Sequence, residues 1–224
     1  MPEPFAVKDC ALISIGTGER AQNLRELRDR LQTIDPASIF HHFWGCLMHT
    51  SFDEPEFQND FAAWAWHGLR DRPLAERLAL IDPSEFPETE DLRRELIEII
   101  EERLEETELV PWAKANQQFS FIRSQIVVFD TSLRIENPRM LSENLHRMSV
   151  GSIFYHFIDA RRRPPYGRDD FSAWLAGFGD GYARLVEALS SVDPYFVTLT
   201  ELRRELETLM SGLCDKGHCD AELA

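Results

Sequence analysis

One block of residues occurs twice, and it limits what this chain can fold into. Ser38-Ile39-Phe40-His41-His42-Phe43 returns 114 residues later as Ser152-Ile153-Phe154-Tyr155-His156-Phe157. At that offset Phe5 falls on Phe119, Thr17 on Thr131 and Arg20 on Arg134, while Asn23, Leu27 and Leu31 fall on Asn137, Leu141 and Leu145. After a loop four residues shorter in the second copy, Asp60-Phe61-Ala62-Ala63-Trp64 meets Asp170-Phe171-Ser172-Ala173-Trp174. Further on, Asp82-Pro83 meets Asp193-Pro194, and Leu92-Arg93-Arg94-Glu95-Leu96 meets Leu202-Arg203-Arg204-Glu205-Leu206. Stacked solenoid units repeat every roughly 20–50 residues, so this much longer period reads as a duplicated domain. The copies span 5–107 and 119–213, with a linker at 108–118 and a frayed tail at 214–224. Duplicated halves inherit the self-complementary surface of an ancestral homodimer, so the expected state is a pseudo-two-fold monomer or a homodimer.

Each copy opens on a short β-branched segment, Cys10–Ile15 and Gln125–Phe129, ending near Gly16-Thr17-Gly18 and Asp130-Thr131-Ser132. A lone strand needs a partner, so the strands of the two copies are expected to share one small sheet. About five helices follow in each copy. The first starts after Asn23 or Asn137-Pro138 and the second at Asp35-Pro36 or Ser149, where capping side chains and a first-turn proline belong. The third starts at Asn59-Asp60 or Asp169-Asp170 and is expected to bury Phe61 and Trp64, or Phe171 and Trp174. The fourth covers about 74–81 or 182–192, and the fifth opens near Thr89 or on the capping box Thr198-x-x-Glu201. The class is α+β, mostly α-helical.

Net charge is −15, so the overall field repels a phosphate backbone, and nucleic acid is not an expected partner. No stretch reaches the eighteen or so consecutive apolar residues that would span a bilayer, so no membrane association is expected. The opening Met1-Pro2-Glu3-Pro4-Phe5 lacks the basic-then-apolar order of a secretory signal. The four cysteines then read as reduced thiols, and the expected compartment is the cytoplasm.

Together, the strand ending in Thr-Gly, the Asn-Leu-Arg-Glu-Leu helix, the Ser-Ile-Phe-Tyr-His-Phe block, the Asp-Phe-x-x-Trp block and the closing Leu-Arg-Arg-Glu-Leu resemble one prokaryotic family, domain of unknown function 5752. The resemblance covers nearly the whole chain. It implies a mostly helical, duplicated protein with a tie to sugar metabolism, and carries over no activity, cofactor or catalytic residue. His41 stands where the second copy has Tyr155, and the first copy's loop Phe52-Asp53-Glu54-Pro55-Glu56 is longer and acidic, which points to a role specialised in one half.

The repeated pairs His42/Asp60 and His156/Asp170 are the first candidates, since a boundary imidazole beside a carboxylate can bind a ligand, hold a metal or act as a base. The plainer reading has Asp60 and Asp170 cap the third helix while each histidine bonds nearby backbone. The second candidate is the basic stretch Arg161-Arg162-Arg163-Pro164-Pro165-Tyr166-Gly167-Arg168, whose arginines suit a phosphate or carboxylate. Its rival is pairing with the protein's own acids. His42, Cys46 and His49 lie on one helical face but have no counterpart in the second copy, and three positions along one straight helix converge poorly on an ion. Cys214, His218 and Cys219 lack a second ligand pair. No metal site and no cofactor are expected. The aromatics Phe43, Trp44, Phe61, Trp64 and Trp66 could line a sugar-stacking cleft. Their helical spacing points instead to the core for most of them, the exceptions being Trp44 and Trp66, which the repeat does not match.

Phosphate-loop, dinucleotide, nucleophile-elbow and zincin motifs are all missing from the sequence. The leading expectation is a non-catalytic accessory or regulatory protein that binds a protein partner or a small anionic ligand. The alternative is a metal-dependent or His/Asp-based enzyme.

Overall fold

A computed structural model describes residues 2–48, 56–86, 88–106, 113–163 and 167–213. It is an α+β protein, mostly helical, with one two-stranded sheet. Strand β1 spans Phe5–Ala21 and strand β2 spans Phe119–Ile135. Both are longer than the sequence reading. At the start of β1, Phe5 and Val7 are buried and alternate with the less buried Ala6 and Lys8, a period-2 pattern that polar neighbours obscure in the sequence. Past the expected ends, Gly18 (φ 84°) and Ser132 (φ 62°) take left-handed conformations that let the chain kink and continue. The neighbouring threonines pin these kinks across the sheet. Thr17 donates its hydroxyl to the Phe121 carbonyl (2.8 Å), and Thr131 donates to Val7 (2.6 Å), a pairing that makes the strands antiparallel.

The chain divides into two compact units, residues 12–126 and residues 1–11 with 127–224. The first holds α1 (Leu24–Leu31), α2 (Pro36–Trp44), α3 (Asp60–Trp64), α4 (Arg72–Ala79) and α5 (Thr89–Glu106). Asn23, Asp35, Asn59 and Asp71 cap α1 to α4 by accepting main-chain N–H groups, as their short polar side chains favour. Leu27, Leu31, Ile39, Phe43, Phe61, Leu74, Leu78, Leu96 and Ile100 form the core. Arg93 reaches from α5 to the carbonyls of Leu31 and Ile34 (2.7 Å for Ile34), closing the end of α1. Within the stretch expected as a linker, Ala115 and Asn116 donate main-chain N–H groups to Gln22 and Gly68, which ties it to this unit.

The other unit holds α6 (Pro138–Leu145), α7 (Val150–Ile153), α8 (Asp170–Leu175), α9 (Ala183–Ser190) and α10 (Leu199–Leu213). A π-helical turn, Phe154–Ile158, continues α7. Thr198 and Glu201 exchange hydrogen bonds (2.9 and 3.2 Å), the reciprocal capping box read from the sequence. Leu141, Leu145, Ile153, Phe154, Phe157, Phe171, Leu175, Leu189, Leu202 and Leu206 make the core. Arg203 donates to the Met148 carbonyl (2.8 Å). Among the described residues, no helix is long and apolar enough to cross a membrane. The expected tail, with Cys214, His218 and Cys219, lies outside the described residues, as does His49.

Candidate functional site

His156 sits in the π-helical turn, a helix irregularity frequent at functional positions, and is 3% exposed. Its Nδ1 lies 2.7 Å from Asp170 Oδ2, and its Nε2 lies 2.9 Å from the main-chain nitrogen of Lys8 on β1. A main-chain nitrogen can only donate, so Nε2 is an acceptor and the ring proton belongs on Nδ1, which donates to Asp170. His42, on α2, is held the same way, with Nδ1 2.7 Å from Asp60 Oδ2 and Nε2 accepting the Ile122 N–H at 3.1 Å. Phe5 packs 4.8 Å from the His156 ring and Phe119 4.7 Å from His42. Each histidine therefore bolts a strand to the start of a helix.

The two aspartates do not cap their helices, contrary to the plainer reading. Asn59 and Asp169, one residue earlier, do so. A cap must aim its oxygen along the helix axis at the second or third N–H, which leaves the next side chain free to turn toward the imidazole. Asp169 is 2% exposed, and burial pushes its carboxyl up despite bonds from Ser172 and the nearby Arg161 charge. Burial also acts to raise Asp170. The His156 hydrogen bond and the Arg163 guanidinium outweigh it and hold Asp170 below the ordinary carboxylate range.

Of the four loop arginines, one joins this site. Arg163 donates to Asp170 Oδ2 (2.9 Å) and to the Tyr155 carbonyl and hydroxyl (2.9 and 3.1 Å), lying 4.2 Å from the Tyr155 ring centre. Its Nε, 3.3 Å from Asp159, is buried without a well-aligned hydrogen bond. Arg161 turns instead to the Leu189 and Val192 carbonyls at the end of α9 and lies over Phe157, 4.3 Å from the ring centre. Arg162 pairs with Asp159 (2.6 Å). Arg168 is exposed. Internal acids and carbonyls thus occupy most of the basic stretch, while Pro164, Pro165 and Tyr166 lie outside the described residues.

A cleft of about 380 Å³ opens beside His156, lined by Glu3, Lys8, Tyr155, Arg163, Asp170 and Trp174 among others. Trp174 is half-buried, less than expected, because its indole N–H reaches out to the Glu3 carbonyl (2.8 Å). Trp64 donates likewise to Gln117 (2.7 Å) but is 7% exposed. The sequence reading missed Glu3, Lys8 and Tyr155 as lining residues. Two of them carried a signal: at the repeat offset Lys8 stands opposite Ile122 and Tyr155 opposite His41. Trp44 is buried, whereas Trp66 is half-buried under Arg72, 4.9 Å from its ring centre.

In the other unit, His41, His42 and Asp60 offer ligand atoms within 4.8 Å of one another. A metal fits them poorly. His41 Nδ1 lies 2.6 Å from the Ser124 hydroxyl, and both nitrogens of His42 are already engaged. Cys46 of the expected His42–Cys46 face donates its thiol to Gln58 (3.1 Å), and burial pushes that thiol up to about 11. Zinc binds the thiolate and a free imidazole lone pair, and here Cys46 does not present the one nor His42 the other.

Fold and site together describe a mostly helical α+β protein in which buried histidines tie strand backbone to helices. The chain belongs to a family of unknown function, DUF5752, which it matches over residues 2–211. It is similar to OrfY from Thermoproteus tenax, at 30% identity and a TM-score of 0.82, over 96% of this chain and 98% of that one. No curated protein matches it significantly.

Proposed function

We propose that this chain is a non-catalytic accessory or regulatory protein of the cytoplasm, built from two related halves, that binds a protein partner or a small ligand with an anionic group. One observation carries the reading. Both ring nitrogens of His42 and of His156 are committed, one to a strand N–H and one to a carboxylate. A general base must offer a lone pair to a substrate proton, and here strand backbone holds it. The duplicated ancestry is supported by bonds that recur at repeated positions: Lys8–His156–Asp170 with Ile122–His42–Asp60, Trp174–Glu3 with Trp64–Gln117, and Arg203–Met148 with Arg93–Ile34.

A second reading, a metal-dependent or His/Asp-based enzyme, is favoured by the clustering of His41, His42 and Asp60. Metal analysis of tag-free protein separates the two. The accessory reading predicts no stoichiometric metal in wild type. A stoichiometric metal that is lost in a still-folded His42→Ala variant would establish the second reading instead.

A further inference from the structure

The cleft beside His156 holds charges of both signs that the fold leaves unequally satisfied. Arg163 is balanced by Asp170 at 2.9 Å. Lys8 forms no ion pair among the described residues; the nearby Asp130 carboxyl is held down to about 2 by Arg134 and the Ser132 N–H first, and by the Lys8 charge last. Glu3, exposed at the cleft, accepts an indole N–H with its main-chain carbonyl, which leaves its carboxylate out of that bond. The Tyr155 hydroxyl accepts from Arg163 and keeps its own hydrogen to give. Trp174, half-buried, supplies an aromatic wall, with Phe178 edge-on to it at 4.8 Å. A simple anion would meet Lys8 but also Glu3 and Asp170. A simple cation would meet the reverse.

We infer that this cleft binds a small zwitterion of the amino-acid class, its carboxylate toward Lys8, Tyr155 and Arg163, its ammonium toward Glu3 and Asp170, and its side chain against Trp174. A ligand with both charges satisfies every group that a singly charged one would leave opposed. The ammonium also gains from the neighbouring indole face. A volume of about 380 Å³ falls within the usual range for small-molecule sites. The inference rests on the binding, non-catalytic reading above and gives its ligand a class.

Calorimetric titration with three probes tests it: L-phenylalanine, 3-phenylpropionate, which lacks the amine, and 2-phenylethylamine, which lacks the carboxylate. Phenylalanine should bind saturably, and each half-ligand at least about tenfold more weakly, the size of one lost charge-assisted hydrogen bond. Lys8→Ala keeps the main-chain N–H that His156 needs. It should weaken phenylalanine and phenylpropionate about tenfold and leave phenylethylamine unchanged. Glu3→Gln keeps the carbonyl bonded to Trp174 and should do the opposite. No saturable binding of phenylalanine, or phenylpropionate binding as tightly as phenylalanine, overturns the proposal. Chromatography of the titrated solution separates the two readings. Phenylalanine that binds and is consumed leaves the site standing and removes the non-catalytic reading. Absence of binding by a protein whose histidines are held as described removes only the site.

Discussion

Lys8 gives its main-chain N–H to His156 at 2.9 Å and is also one of the residues lining the cleft beside that histidine. One residue of β1 thus anchors a helix through its backbone, and its side chain is the cation of the inferred binding cleft. The two roles separate by mutation, since only proline removes the N–H.

Removing the imidazole should therefore cost stability. His156→Ala strands a buried N–H and takes the partner from Asp170, so unfolding free energy should fall by about 2 kcal/mol. His42→Ala should cost a similar amount. Chemical denaturation with unchanged m-values is the check. A loss near zero for either variant would mean the ring is not holding the strand.

Asp169 and Asp170 are adjacent and should respond to pH with opposite sign. The Asp169 carboxyl is raised by burial, so its contribution is most favourable below the unfolded pKa and is lost as pH rises through the folded one. Asp169→Asn, which keeps a capping oxygen, should stabilise the protein at pH 7, and that gain should vanish in acid. Asp170 is held low, so its contribution is fully present above the unfolded pKa and fades as pH falls through the folded one. Asp170→Asn should destabilise at pH 7, with the difference from wild type shrinking below about pH 4. Melting temperatures across pH 3–8 read both trends.

Gly18 and Ser132 carry the strand kinks. A Cβ at Gly18 would meet nothing within 4 Å, so Gly18→Ala isolates the backbone penalty and should cost about 1 kcal/mol. Ser132→Gly relieves a left-handed serine but loosens the unfolded chain, and should change stability by less than about 0.5 kcal/mol.

Much of this was legible in the sequence. Every cap named there as Asn23, Asp35, Asn137, Ser149 or Thr198 forms, because capping needs only a short polar side chain at the right step from an apolar helix. The pairing of His42 with Asp60 and His156 with Asp170 was likewise visible as a repeat. Strand length was not, because the ends depend on threonine bonds to the opposite strand and on two left-handed residues. The fate of the arginines was also hidden. Whether Arg161 meets a ligand or the end of α9 is decided by where α9 ends in space, which local sequence does not record. The cleft showed only as mismatches, Lys8 against Ile122 and Tyr155 against His41.

Burial pushes the Cys10 thiol up to about 12, aided by Asp159 and Asp9, and the thiol donates to the Gly151 carbonyl. The thiolate is the reactive form, so Cys10 should resist alkylation in native protein at pH 8. In a Cys214→Ser/Cys219→Ser background, peptide mass spectrometry should find Cys10 modified only after denaturant is added.

The histidine tautomer is the most direct test, because the account turns on Nε2 of His42 and His156 being spent on strand N–H groups. Long-range nitrogen–proton correlation of ¹⁵N-labelled protein at neutral pH reads it. The account predicts a proton on Nδ1 and an unprotonated Nε2 in both rings, with the Lys8 and Ile122 amides slow to exchange. A proton on Nε2 in either ring, or fast exchange of those amides in folded protein, would contradict it.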